Sequence, residues 1–261
     1  MPSAIKTARE YGDDLAVIFV EVQGAGPNKA ERFAWDKRWM GTSAMWTSER
    51  PFSTGSRGIP NFALLSADGE VLMKGHPGSM HSKIMKAIDE EIANAKKGPA
   101  DAPKALKSAY KSFGKGDYAK AFAATEKVVA KGGDDAAAAE AASKFFTKVI
   151  DKKFARVDWL SENGYLIQAE EVFGDLADGV KGLSAFDERV TALTELFDGD
   201  EMKRELKIAK SFNKLEATLA DKGIDEKAAK KLAKFVEKND GARVSARAEN
   251  LLRIAKKLTE E

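Results

Sequence analysis

The sequence predicts an α/β domain followed by an all-α, repeat-like domain, and three observations predict it. All seven prolines fall within the first 103 residues, and proline punctuates loops and strand ends while long helices exclude it. The same stretch holds a β-branched run, LAVIFVEV, and a hairpin pattern, NFALLSADGEVLMK. Beyond residue 103 apolar residues instead recur at helical spacing to the end of the chain.

The elements of the first region follow in order. Ser3 to Tyr11 reads as a helix closed by Gly12. Leu15 to Val22 starts apolar on both faces, the pattern of a buried parallel strand. After a GAGPN loop, Lys29 to Trp39 is an amphipathic helix with Phe33 on its inner face. Gly41 to Gly58 reads as a long irregular stretch. A hairpin follows, Asn61 to Leu65 and Glu70 to Lys74 around Asp68-Gly69. Ser82 to Ala95 closes the region as a helix, with Ile84, Ile88 and Ile92 on one face. Helix, strand, helix, hairpin, helix is an α/β layer order. The division is residues 1–97 for the α/β domain, 98–103 for a polar linker (GPADAP), and 104–261 for the helical domain.

The second region carries successive apolar stripes and about eight helices of ordinary length. Ala105, Leu106, Ala109, Tyr110 and Phe113 form the first stripe; Tyr118, Ala121, Phe122, Thr125 and Val129 form the next. Between them Asp117 is placed to cap the following helix. Further stripes begin at Leu166, Phe186, Leu206, Leu232 and Leu251. The stretch FGKGDYAKAF is similar to the turn between paired helices of a tetratricopeptide repeat, although no strict period holds.

Composition narrows the function. With 43% hydrophobic and 32% charged residues the chain suits a globular protein rather than a disordered one. Its longest apolar run, Leu15 to Val20, is far short of a membrane span, so none is expected. Basic and acidic side chains balance at 13 and 13 in residues 1–103, and at 30 and 28 beyond. Neither part has the positive excess that phosphate-backbone binding uses, so nucleic acid is not an expected partner. Zero cysteines exclude disulfides, thiolate metal sites and cysteine nucleophiles. His76 and His81 are five apart beside a Pro-Gly turn, read as surface loop histidines rather than a metal pair. Gly24 and Gly26 make a G-x-G, but Pro27 follows and no third glycine arrives. The adjacent carboxylates Asp13-Asp14 and Asp134-Asp135 do not converge on one site and suit turns or helix starts. No cofactor, metal or catalytic set is expected. Lys227, Lys230, Lys231 and Lys234 read as a solvated helix face.

Tyr11 to Val22 and GIPNFALLSADGEVLMKGHPG, residues 58–78, carry a resemblance to the thioredoxin superfamily, and within it to the TlpA-like thiol–disulfide reductases. The resemblance covers about residues 1–95. It implies a cis Ile59-Pro60 peptide that presents the Ile59 backbone to an extended substrate segment, making Ile59 and Pro60 the candidate peptide-binding residues. It also implies an extracytoplasmic location. The family's C-x-x-C is missing. By the match, that motif and the strand before it would precede Met1, and Met1-Pro2 is similar to the pair that follows the second cysteine in the family. The implied missing strand would lie between Leu15–Val22 and Asn61–Leu65, leaving unpaired backbone edges there. A truncated N-terminus, a rearranged sheet, or a strand donated by another chain would each account for the gap.

A second candidate is the concentration of Trp35, Trp39, Met40, Met45 and Trp46 beside Arg38 and Arg50, read either as a recognition patch or as an insertion packed on the rest of the chain. The leading functional expectation is a non-catalytic thioredoxin-like protein that binds protein partners. The alternatives are the cysteine-less part of a longer TlpA-like oxidoreductase, and a structural subunit of a larger assembly. Dithiol–disulfide exchange needs a thiolate, so this chain should give a blank insulin-reduction assay; measurable turnover would falsify the thiol argument.

Overall fold

A computed structural model describes residues 2–37, 39, 44–47, 49, 53, 58–66, 69–99 and 101–259. It shows a small α/β region followed by an all-helical region.

Helix α1, Pro2–Tyr11, buries Ile5 and Ala8. Strand β1, Val17–Val20, follows, then helix α2, Pro27–Asp36, and strand β2, Ala44–Thr47. Strands β3, Phe62–Leu65, and β4, Val71–Gly75, precede helix α3, Pro77–Lys97. Helix α1 is tied to α3 at two points one turn apart: Thr7 Oγ1 contacts Met85 Sδ at 3.9 Å, and the Tyr11 hydroxyl donates to Asp89 at 2.6 Å.

Strand β1 pairs with β2 in parallel, Val17 opposite Ala44 through Val20 opposite Thr47. Strand β3 pairs antiparallel with β4, with a register shift between Leu64 and Leu65. Among the described residues no strand joins the two sheets.

Several expectations for this region are corrected. Residues 44–47 fall in the stretch read as irregular; four residues between polar and glycine neighbours give too short an alternation to register, and the free edge of β1 orders them. Strand β1 is not buried on both faces: Phe19 is buried, but its neighbour Ile18, on the other face, is 52% exposed. Phe33 does not face inward. Ala34 and Trp35 are the buried residues of α2, and Phe33 is 50% exposed. Helix α3 starts five residues before its predicted start, since Pro77 suits a first turn and His76 caps it, its Nδ1 accepting from the Gly78 N–H at 3.2 Å. His81 therefore lies on an exposed helix face rather than in a loop.

At the start of the linker, Gly98 lies against the Tyr110 ring so closely that a Cβ there would come within 2.3 Å of it. The helical region comprises α4, Lys107–Phe113; α5, Tyr118–Lys131; α6, Ala136–Glu162; α7, Leu166–Val180; α8, Asp187–Asp198; α9, Asp200–Lys222; α10, Glu226–Lys238; and α11, Ser245–Thr259. Asp117 occupies the N-cap of α5 without bonding a backbone N–H; its carboxylate takes Lys120 Nζ at 3.2 Å instead.

The packing has two cores. The smaller gathers Leu106, Ala109, Ala121, Ala139, Ala142 and Phe146, where the Phe113 and Phe146 rings stack at 4.1 Å. The larger runs from Ile150, Phe154, Val157 and Leu160 of α6 through α7 to α11. Helix α6 belongs to both, its buried face running unbroken from Ala139 to Leu160. Burial, with the nearby Asp175 carboxylate adding to it, pushes the Tyr118 phenol above its ordinary pKa.

Arg247 locks the far end of this array. Its guanidinium, 13% exposed, donates to the Gly164 carbonyl at 2.8 Å and to Glu216 at 2.7 Å, and lies over the Tyr165 ring at 4.0 Å. Gly164 itself has φ +75, and a Cβ there would sit 2.5 Å from the Arg243 carbonyl oxygen. Gly182 has a similar φ, +87, with nothing within 4 Å of its would-be Cβ. Gly164→Ala should therefore cost about 3 kcal/mol, combining backbone strain with overpacking, while Gly182→Ala should cost about 1. Urea unfolding of the two variants checks the difference; equal losses would remove the close approach as the cause.

Candidate functional site

The sequence singles out two places, and the structure treats them differently. At the first, the Ile59-Pro60 peptide is cis, Ile59 is 55% exposed, and Pro60 is exposed beside it. They stand immediately before β3, whose Phe62 N–H is held by the Asn61 side chain at 3.0 Å. Other apolar side chains of the same region are exposed as well. Ile18 on β1, Leu65 on β3, and Val71 and Leu72 on β4 are 52%, 39%, 49% and 44% exposed. Seven of the nine exposed large apolar side chains among the described residues lie between positions 18 and 72. The α/β region thus leaves much of its apolar side-chain area exposed among the described residues.

At the second place the tryptophans do not form one patch. Trp35 is 6% exposed and belongs to the large core of the helical region, so it is not available as a recognition residue. Trp39, half-buried, lies beyond the end of α2 and sets its ring edge-on to Phe33 at 5.4 Å and 79°. Trp46 is a β2 residue opposite Phe19 in register. Its side chain, that of Met45, and residues Arg38, Met40 and Arg50 lie outside the described residues. The division between Trp35 and Trp39 follows from helix geometry. Asn28, Glu31 and Trp35 share one face of α2 by their spacing, and that face meets α11. There Glu31 accepts from Arg253 at 3.1 Å, and Asn28 accepts from Lys257 Nζ at 2.6 Å.

Sequence reading missed a third feature. Helices α9 and α10 enclose an open groove of about 590 Å³. Lys231 and Lys234, read as part of a solvated face, form one wall with Lys238; Lys207 and Lys214 of α9 stand on the other. The signal lay in α9, where Lys207-Ile208 recurs seven residues later as Lys214-Leu215.

Among the described residues no three or more His, Asp or Glu side chains converge as a metal-binding group. No helix among them is long and apolar enough to cross a membrane. Comparison of the chain with protein-family models, with curated proteins and with solved structures returns no match.

The α2–α11 contact sets magnitudes against each other. The Arg253–Glu31 pair is 47% and 23% exposed and is worth at most about 1 kcal/mol, whereas truncating a buried tryptophan costs about 3–5. The Trp35 Nε1–H is buried without a partner, so its amphipathic character adds nothing that phenylalanine would lose. Trp35→Ala should thus destabilise the chain far more than Arg253→Ala, with Trp35→Phe between them; thermal unfolding followed by circular dichroism ranks the three.

Proposed function

We propose that the chain is a non-catalytic, thioredoxin-like protein-interaction module whose α/β region receives an extended segment of a protein partner. The observation that carries this reading is the pair of two-stranded sheets, unjoined among the described residues, with exposed apolar side chains along them. The element order helix, strand, helix, hairpin, helix supports the likeness, with β2 as an addition to it.

Magnitudes favour a strand as the occupant. Covering the hairpin residues Leu65, Val71 and Leu72, each roughly half exposed already, recovers on the order of 3 kcal/mol. Association costs about 4–15 kcal/mol in lost freedom, so apolar contact alone does not hold a partner. Main-chain hydrogen bonds along a free edge supply the remainder, and alternate side chains of the added strand meet the apolar positions.

Selection of displayed extended peptides on the full chain tests this. Peptides with alternating apolar residues should be enriched, and their affinity should fall roughly tenfold or more in Ile18→Lys/Leu65→Lys, whose exposed positions leave the fold intact. Enriched peptides that bind the double variant as tightly as the parent would sink the reading.

A further inference from the structure

We infer that the groove between α9 and α10 is a second, separate docking site, and that its occupant is an acidic amphipathic helix of a protein partner. Its floor is apolar: Ile208, the buried Leu215, and Phe235, whose ring rests on Phe212 at 5.5 Å. Its walls carry five lysines, Lys207 and Lys214 on α9 and Lys231, Lys234 and Lys238 on α10. No carboxylate lines it. None of the five lysines has an ion-pair partner among the described residues. Two carboxylates of the same helices pair with other cations, Glu216 with Arg247 and Glu226 with Lys230.

The groove arises from how α10 is seated. Asp225 caps the helix by accepting from the Ala228 N–H at 2.7 Å, and Leu232 is fully buried. Helix α10 packs more extensively on α11 than on α9, so its lysine-bearing side stands off α9 and leaves the floor open.

Length and charge select the occupant. The α9 lining residues run from Lys207 to Thr218, roughly 17 Å at helical rise, or about three turns. An apolar strip of that length between two cationic rows complements a helix whose apolar stripe is flanked by glutamate or aspartate. Nucleic acid fits poorly, because the groove offers no arginine and no free ring for base stacking. An anionic membrane fits poorly as well, because the apolar residues lie in a concavity between the lysines rather than on a projecting face.

The test uses the full chain and a fluorescent peptide of about four helical turns, with leucine on one face and glutamate on both flanks, against a scrambled peptide of the same composition. Anisotropy should show the patterned peptide binding at least tenfold more tightly than the scramble, weakening as salt rises. Lys214→Glu/Lys234→Glu removes charge from both walls, and Ser211→Trp fills the groove without changing charge; each should reduce affinity tenfold or more. Ile18→Lys/Leu65→Lys should leave it unchanged, which separates this site from the strand-edge reading. Equal binding of the scramble, or full binding by Ser211→Trp, overturns the proposal. So does tighter binding to phosphatidylglycerol vesicles than to the peptide, or a dimer of the unmodified chain that the charge reversal dissolves. Unchanged circular-dichroism melts confirm that the variants are folded, since all five substituted positions are exposed.

Discussion

The helical region depends on one unbroken apolar stripe. Helix α6 has 27 residues, a span of roughly 40 Å, and buries Ala139, Ala142, Phe146, Ile150, Phe154, Val157 and Leu160 along one side. The first three close a small core with α4 and α5; the rest open a larger one reaching to α11. The alanines at its start let α4 and α5 approach closely, while the larger side chains beyond fill the wider space among five helices. A proline anywhere along this helix would break both cores from the middle, and residues 104–261 contain none.

Legibility in the sequence tracks the contrast of each pattern. The stripes of α5, α7, α9 and α11 are clear because apolar residues recur on one face and charges fill the other. Helix α6 has no such contrast: Phe145 and Trp159 are 51% and 54% exposed on its outer side, and its first turns are almost all alanine. Strand β2 is too short to announce itself and takes its conformation from β1. Asp117 sits at a helix start, yet a lysine one turn on takes its carboxylate. Trp35 and Trp39, four apart, read as one cluster, yet Trp35 enters the large core while Trp39, beyond the end of α2, meets Phe33. The lysine groove was the least legible feature, since it exists only where two separately ordinary helices face each other.

The two regions are built to different standards. In residues 1–97 the buried side chains described are Ile5, Thr7, Ala8, Phe19, Ala34, Trp35 and Ile88, and one of these belongs to the other region's core. The helical region adds to its apolar cores a pin of high quality. Arg247 joins α11, α9 and the α6–α7 turn through charged hydrogen bonds and two aromatic faces, in a setting dry enough for those contacts to count. Buried apolar contact is concentrated in the helices, and exposed apolar side chains in the first region.

That small region nevertheless touches both ends of the array. Helix α3 packs on α4, where Gly98 meets Tyr110, and helix α2 reaches α11, where Glu31 meets Arg253 across 222 positions of chain. Trp35 is therefore shared property: a side chain from the first region completes the core of the last helices, so its loss would be felt at α11, at the opposite end of the sequence.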